Sequence, residues 1–361
     1  MRVRKVATFV FLLVSLSAIG SGQVSGYLVI QGGGAITNEV KERFVALAGG
    51  PRARFVYIPT AMSDAQIGEA DKRAVAIAKQ FGITGMTVLH TRDRVRANSP
   101  GFVEPLRHAS GVFIDGGRQW RLADAYLGTA VEQEIKGLLA RGGVVCGGSA
   151  GATIQGSFLV RGAPGTAANP DGDNRIMMSP GHETGFGLLP NSAIDQHVNT
   201  RGREADLNAV IAAHPNLLGI GIDQSAAIVV HDDSFFVVGG QVAIHDGGQH
   251  EGAGYYFLSS GQSFNLRTRS AEPIDETPLT LTVTSATRST TASGVTTVGT
   301  GSLQSRNSSL HAAPEIKYEC NVSLYSVGNN VYPARQDGPG KFRIQAREIN
   351  TDRLREYSCR F

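Results

Sequence analysis

The sequence predicts an α/β protein, with a mostly parallel sheet covered by helices and followed by a smaller β-rich unit. Three observations carry this expectation. Between residues 26 and 269 short apolar runs alternate with amphipathic stretches, the pattern of strands joined by crossover helices. One apolar run ends in Gly147-Gly148-Ser149-Ala150-Gly151 and passes into small residues able to open a helix. Beyond Thr277, Thr and Ser dominate to Ser309, and apolar/polar alternation over 279–284 and 316–327 replaces the helical spacing.

Taken in order, the chain begins with Arg2, Arg4 and Lys5, an uncharged stretch from Val6 to Ile19, and the small residues Gly20, Ser21 and Gly22. This reads as a cleaved signal peptide over 1–22, because the stretch falls short of the ~20 apolar residues that span a bilayer. A secreted or periplasmic protein, with no membrane association after cleavage, is the expectation. Strands are expected at 27–31, 54–58, 85–89, 111–114, 144–146, 218–222, 226–230 and 235–238, and helices at 38–47, 64–81 and 129–140, where apolar residues recur at helical spacing. The last two strands, separated by His231, Asp232, Asp233 and Ser234, read as a hairpin at one edge of the sheet. The expected organisation is an α/β domain over 23–270 and, over 271–361, a Ser/Thr-rich linker with a small β-rich domain.

The composition, 41% hydrophobic and 18% charged with 45 glycines among 361 residues, excludes a disordered or fibrous chain. Without Arg2, Arg4 and Lys5, 31 basic residues stand against 31 acidic ones. The mature chain is therefore near neutral, which argues against nucleic acid or an anionic membrane as partner. Cys320 and Cys359 lie in the exported C-terminal region and are expected to pair as a disulfide. Cys146 ends an apolar run beside glycines and reads as a small buried hydrophobe.

The chemistry concentrates in three clusters. The G-x-S-x-G pentapeptide after an apolar strand is the nucleophile-elbow pattern: its glycines allow a tight turn that lifts the Ser149 hydroxyl clear of the sheet, while the following amides face a developing oxyanion. Asp195-Gln196-His197-Val198-Asn199-Thr200-Arg201-Gly202-Arg203 gathers a carboxylate, an amide, an imidazole and two guanidinium groups. His197 is thus the candidate base for a serine nucleophile. Asp115-Gly116-Gly117-Arg118-Gln119-Trp120-Arg121 follows another strand directly. In an open α/β sheet ligands bind beyond the carboxyl ends of strands, so this loop and the elbow are expected to share a crevice.

These clusters resemble those of the cyanophycinase and dipeptidase E family of serine peptidases, over residues 27 to 269. The resemblance rests on G-G-x-Q at Gly116 to Gln119, G-x-S-A-G-A from Gly147, and D-Q-H at Asp195 to His197 followed by R-x-R at Arg201 to Arg203; the last is nearer the cyanophycinase branch. It implies a three-layer α/β/α, glutamine-amidotransferase-like fold and cleavage of the branched aspartate–arginine polymer cyanophycin into β-aspartyl-arginine dipeptides. It further implies Ser149 as nucleophile, His197 as base, the Gly117 and Ala150 amides as the oxyanion hole, and Gln119, Asp195, Gln196, Arg201 and Arg203 as the substrate grip, with Asp195 pairing with the substrate's guanidinium. No cofactor or metal is implied, and the resemblance admits a homodimer.

Two departures stand out. Cyanophycinases place a catalytic glutamate after G-I-D, where this chain reads Gly221-Ile222-Asp223-Gln224. Either Asp223 or another carboxylate substitutes, or Gln224 orients His197 through its amide oxygen, or hydrolysis has been lost and the protein only binds. Asp206 stands where cyanophycinases tend to carry another arginine. Other signals are discounted. Gly32-Gly33-Gly34 lacks the third glycine of a dinucleotide loop, which would fall at Thr37, and reads as a tight strand-to-helix turn. The loop beginning Asp171-Gly172-Asp173 has His182 at the twelfth position, where a calcium loop needs glutamate, and reads as a surface loop near the site. The expectation is an exported serine hydrolase acting on cyanophycin, with an aspartyl dipeptidase or a non-catalytic binding protein as alternatives.

Overall fold

The structure, a computed structural model, describes residues 24–272 and, within 279–360, the strands of the C-terminal region. The leader expected at 1–22 lies outside the described residues. The chain begins with β1 (Val24–Gln31), α1 (Asn38–Leu47), β2 (Phe55–Ile58), α2 (Asp64–Ile67), α3 (Ala70–Phe81) and β3 (Thr87–Val88). It continues through α4 (Arg94–Ala97), α5 (Pro100–His108), β4 (Gly111–Ile114), α6 (Gln119–Tyr126), α7 (Ala130–Ala140), β5 (Val144–Gly148) and α8 (Ala150–Thr153). Then come β6 (Gly156–Phe158), β7 (Leu189–Gln196), α9 (Val198–Arg201), α10 (Leu207–Ala213) and β8 (Leu218–Ile222). β9 (Ala227–Asp232), β10 (Ser234–Val238), β11 (Gln241–His245), β12 (Tyr256–Ser259), β13 (Ser263–Asn265) and β14 (Ser270–Glu272) complete this part.

A nine-stranded sheet runs β14-β13-β10-β9-β1-β5-β4-β2-β3. β1, β5, β4, β2 and β3 are parallel, whereas β9, β10, β13 and β14 add antiparallel pairs at the other side. Side chains alternate along β1: Leu28 and Ile30 join one core with Val103, Leu122 and Ile135 of α5, α6 and α7, while Val29 joins another with Phe44 of α1 and Ile77 of α3. A sheet buried on both faces between helices is the three-layer arrangement, and it explains why these strands read as unbroken apolar runs.

Three details differ from the sequence reading. The helix expected over 64–81 is two helices, because Gly68 ends α2 and Glu69 starts α3. The strand at 218–222 belongs to a second sheet, β12-β11-β8-β7-β6. The hairpin β9/β10 is not an edge: β13 pairs with β10, and Phe264 stacks on Phe235 at 5.2 Å. Further along, β15 (Leu279–Thr291), β16 (Gly294–Ser305), β17 (Ile316–Cys320), β18 (Val331–Gln336), β19 (Lys341–Arg347) and β20 (Leu354–Arg360) close a barrel. The Thr-rich stretch supplies its two longest strands, as suits a β-branched side chain.

Candidate active site

Five strand ends converge on one place. β1 ends at the Gly32–Gly34 turn, β4 at Asp115, β5 at Ser149, β7 at His197 and β8 at Asp223 and Gln224. At the elbow Ser149 adopts φ 54° and ψ −114°, a strained conformation that persists because its surroundings enforce it. The flanking glycines make it attainable: a Cβ on Gly147 would lie 2.1 Å from the Gly151 carbonyl oxygen, and one on Gly151 2.1 Å from that of Ile114.

Ser149 Oγ lies 3.0 Å from His197 Nε2, and His197 Nδ1 lies 2.9 Å from Gln224 Oε1. An amide oxygen only accepts, so Nδ1 carries the proton and Nε2 is left to accept from the serine hydroxyl. Gln224 is itself held. Thr200 Oγ1 donates to Oε1 at 3.1 Å, and the Gln224 backbone N–H donates to Asn199 Oδ1 at 2.9 Å. His197, in the left-handed region with φ 55°, is fixed by its amide on the Gly32 carbonyl at 2.7 Å. Of the alternatives left open by the missing glutamate, the geometry favours Gln224. Asp223 makes no hydrogen bond to His197, its Oδ1 is buried without a partner, and burial pushes its pKa up. Burial holds the His197 pKa below the ordinary histidine value, with Arg201 and Arg203 reinforcing the effect against the raising influence of the Gln224 hydrogen bond. The imidazole is therefore neutral at neutral pH, as a base must be.

The Gly117 and Ala150 amides donate no hydrogen bond among the described residues, and so remain available for an oxyanion. The Gly117 loop is anchored by Asp115, which accepts from the Gly116 amide at 2.7 Å, from Tyr57 Oη at 2.6 Å and from Arg73 Nε at 2.6 Å. A cavity of about 490 Å³ opens from Ser149 past Gly117, Arg118, Gln119, Gln196 and Arg201. Gln119 is steadied by donating to the Val160 carbonyl at 3.0 Å, while Gln196 Oε1 is buried without a partner. Asp171 and Asn174 of the loop after Gly165 also line it, so that loop does border the site.

Two expected substrate residues are placed otherwise. Asp195 is fully buried and clamped by Arg161, Nε to Oδ1 at 2.9 Å and Nη2 to Oδ2 at 2.7 Å. Its carboxylate is thus committed inside the protein and does not face the cavity for a substrate guanidinium. Arg203 is buried too, 3.6 Å from Asp195, and donates to the Gln196 carbonyl at 3.1 Å; desolvation lowers its pKa to about 10. It braces the wall from behind. The residue missed by sequence reasoning is Arg161, which also reaches Asp206 at 2.6 Å. Asp206, with no arginine of the kind expected there, makes two carboxylates for the two guanidinium groups. The signals for Arg161 were slight: one charge at the end of the apolar run Phe158-Leu159-Val160. Arg118, by contrast, was visible in its cluster and lines the cavity beside Arg201. Cys146 is buried and free, with its thiol pKa pushed up by burial.

Residues 28–238 match the model of peptidase family S51. The chain is 32% identical over 212 residues to a cyanophycinase of Geminocystis herdmanii, covering 58% of this chain and 75% of that protein. It is 31% identical over 255 residues to a cyanophycinase of Nostoc sp., covering 65% and 83%. Among solved structures, a peptidase from an acI-B1 Actinobacterium superposes with a TM-score of 0.54 at 26% identity, covering 68% of this chain and 98% of that one. With the family model spanning more than half the chain and a serine, a histidine and two unengaged amides gathered at its strand ends, the chain belongs to peptidase family S51 and is a serine-type peptidase.

Proposed function

We propose that this peptidase is an exported cyanophycinase that cuts cyanophycin to β-aspartyl-arginine dipeptides through an acyl-enzyme. The observation that carries the reading is the Ser149–His197–Gln224 chain of hydrogen bonds opening onto a cavity lined by Arg118 and Arg201. In the first half-reaction Ser149 Oγ attacks the scissile carbonyl while His197 Nε2 takes its proton; the Gly117 and Ala150 amides stabilise the tetrahedral oxyanion. Collapse breaks the C–N bond as His197 returns the proton to the leaving amine. Water, deprotonated by the same imidazole, then splits the ester and restores the serine. Gln224 holds the tautomer but adds no negative charge to steady the imidazolium, so the reaction is slower than a carboxylate would allow.

Gln119, Gln196, Arg118 and Arg201 are the substrate contacts in this reading, the guanidinium groups taking the carboxylates of the polymer's arginine units. Export through the 1–22 leader suits a scavenger of polymer released by other cells. It would also place Cys320 and Cys359 in an oxidising compartment. They are register partners on β17 and β20, and the Cα separation of directly opposed antiparallel residues lies within the range a disulfide bridges.

The test is to incubate purified protein with insoluble cyanophycin beside Ser149→Ala and weigh the soluble products. Dipeptide release by wild type alone is expected. Polymer that sediments with the protein while no dipeptide appears would overturn hydrolysis in favour of binding, and cleavage confined to small aspartyl peptides would point to a dipeptidase.

A further inference from the structure

A bond cut at Ser149 has chain on both sides, and the serine sits where two cavities meet. The first, described above, is polar. The second, of about 580 Å³, runs from Ser149 and Gly116 in another direction and is lined by Ile36, Lys41, Ile77, Phe81 and Phe113. Its volume falls in the range that holds small ligands. The Gly33–Gly34 backbone forms the wall next to the catalytic residues: a Cβ on Gly33 would lie 2.3 Å from the His197 imidazole, and one on Gly34 2.4 Å from Gln224 Cγ. Gln31 fixes this turn, donating to the Gly33 carbonyl at 2.6 Å and accepting from its amide at 3.0 Å. The bare backbone edge thus lets the His197 and Gln224 side chains pack directly against this wall of the cavity.

The charges in this cavity are unequal. Arg73 is taken up by Asp115 at 2.6 Å. The Lys41 side chain has no ion pair or hydrogen bond among the described residues, so its ammonium is the uncommitted charge of the cavity. The remaining wall is mixed: Gln31, Gln80 and Ser149 are polar, and Ile36, Ile77, Phe81 and Phe113 form an apolar strip. We infer that this second cavity binds the peptide unit across the scissile bond from the first, with Lys41 taking that unit's carboxylate and Ile36, Ile77 and Phe81 packing along the methylenes of its long side chain. The inference rests on the polymer-cleaving reading above. The arginine of a β-aspartyl-arginine unit has both features, a free α-carboxylate and an aliphatic stem.

The experiment uses a fragment of two β-aspartyl-arginine units and two versions of it, each with one arginine carboxylate converted to the amide. Wild type, Lys41→Gln and Lys41→Arg are compared by kcat/KM. On the free acid, Lys41→Gln is expected to lose about tenfold, chiefly through KM, as for one exposed charge pair to a ligand, and Lys41→Arg to retain most activity. One of the two amidated fragments is expected to be a correspondingly poorer substrate for wild type and to lose nothing more in Lys41→Gln, while the other stays sensitive to the substitution. Equal activity of Lys41→Gln and wild type, or equal sensitivity on both amidated fragments, would overturn the assignment of Lys41 and leave the parent reading standing. No cleavage of any fragment by wild type would overturn the parent reading and this inference with it.

Discussion

Gln224 is the residue on which the chemistry turns. Its amide oxygen faces His197 Nδ1 at 2.9 Å, so a glutamate there would keep the hydrogen bond and add the missing charge. Gln224→Glu is expected to raise kcat by at least about tenfold with little change in KM, since replacing a triad carboxylate by its amide costs roughly 10⁴ in a well-studied serine protease; an unchanged or lower kcat would refute the orienting role. The pH profile should move as well. Activity requires neutral His197, whose pKa lies below the ordinary histidine value, so the acid limb of kcat/KM falls below that value in wild type and shifts upward in Gln224→Glu. A second prediction concerns Arg161, whose side chain, like that of Asp195, is almost wholly buried. Removing one partner strands a buried charge, so Arg161→Leu should lower the free energy of unfolding by about 3–5 kcal/mol in a denaturant titration; a change under about 1 kcal/mol would contradict the pairing. Ser149, His197 and Gln224 were legible because each sits in a short motif. Asp195 was misread for the same reason: local sequence shows that a carboxylate stands beside the base, but only the fold shows that Arg161, 34 positions away, has claimed it.

Elements matter here chiefly through the backbone between them. Gly33 has φ 107° and abuts the imidazole, so Gly33→Ala should cut kcat by at least about a hundredfold, the order of loss expected when a reacting group is displaced by an ångström. Far-UV circular dichroism should be unchanged; wild-type activity would mean that the turn yields and does not fix His197. The parallel strands β1, β2, β4 and β5 were legible because burial on both faces writes them as apolar runs. β6 and β7 were not, since Gly156–Phe158 is too short for a period and Leu189–Gln196 carries Pro190 and Asn191 near its start and ends in the charged and polar residues of the site. The second sheet escaped notice because strand spacing along the chain does not tell which sheet a strand joins.

At the scale of the whole molecule, a peptidase unit precedes a barrel of six strands. The change of composition at Thr277 marked the second unit, but β15 and β16 are long strands whose Thr and Ser content also suits a linker, and only pairing distinguishes the two. If Cys320 and Cys359 are joined, the oxidised chain weighs two hydrogen masses less than the all-thiol chain. Reduction should then destabilise the barrel by about 4 kcal/mol on the chain-entropy estimate; two alkylatable thiols in the unreduced, denatured protein, beyond Cys146, would exclude the bridge. What the molecule as a whole accomplishes is to bring a serine from β5 and its base from the end of β7 within 3.0 Å. The most direct test of that arrangement is to treat the protein with a fluorophosphonate and locate the adduct by mass. A single adduct on Ser149, formed at a rate that falls as His197 protonates and lost in His197→Ala, is the result predicted; no adduct, an adduct elsewhere, or labelling indifferent to His197 would contradict it.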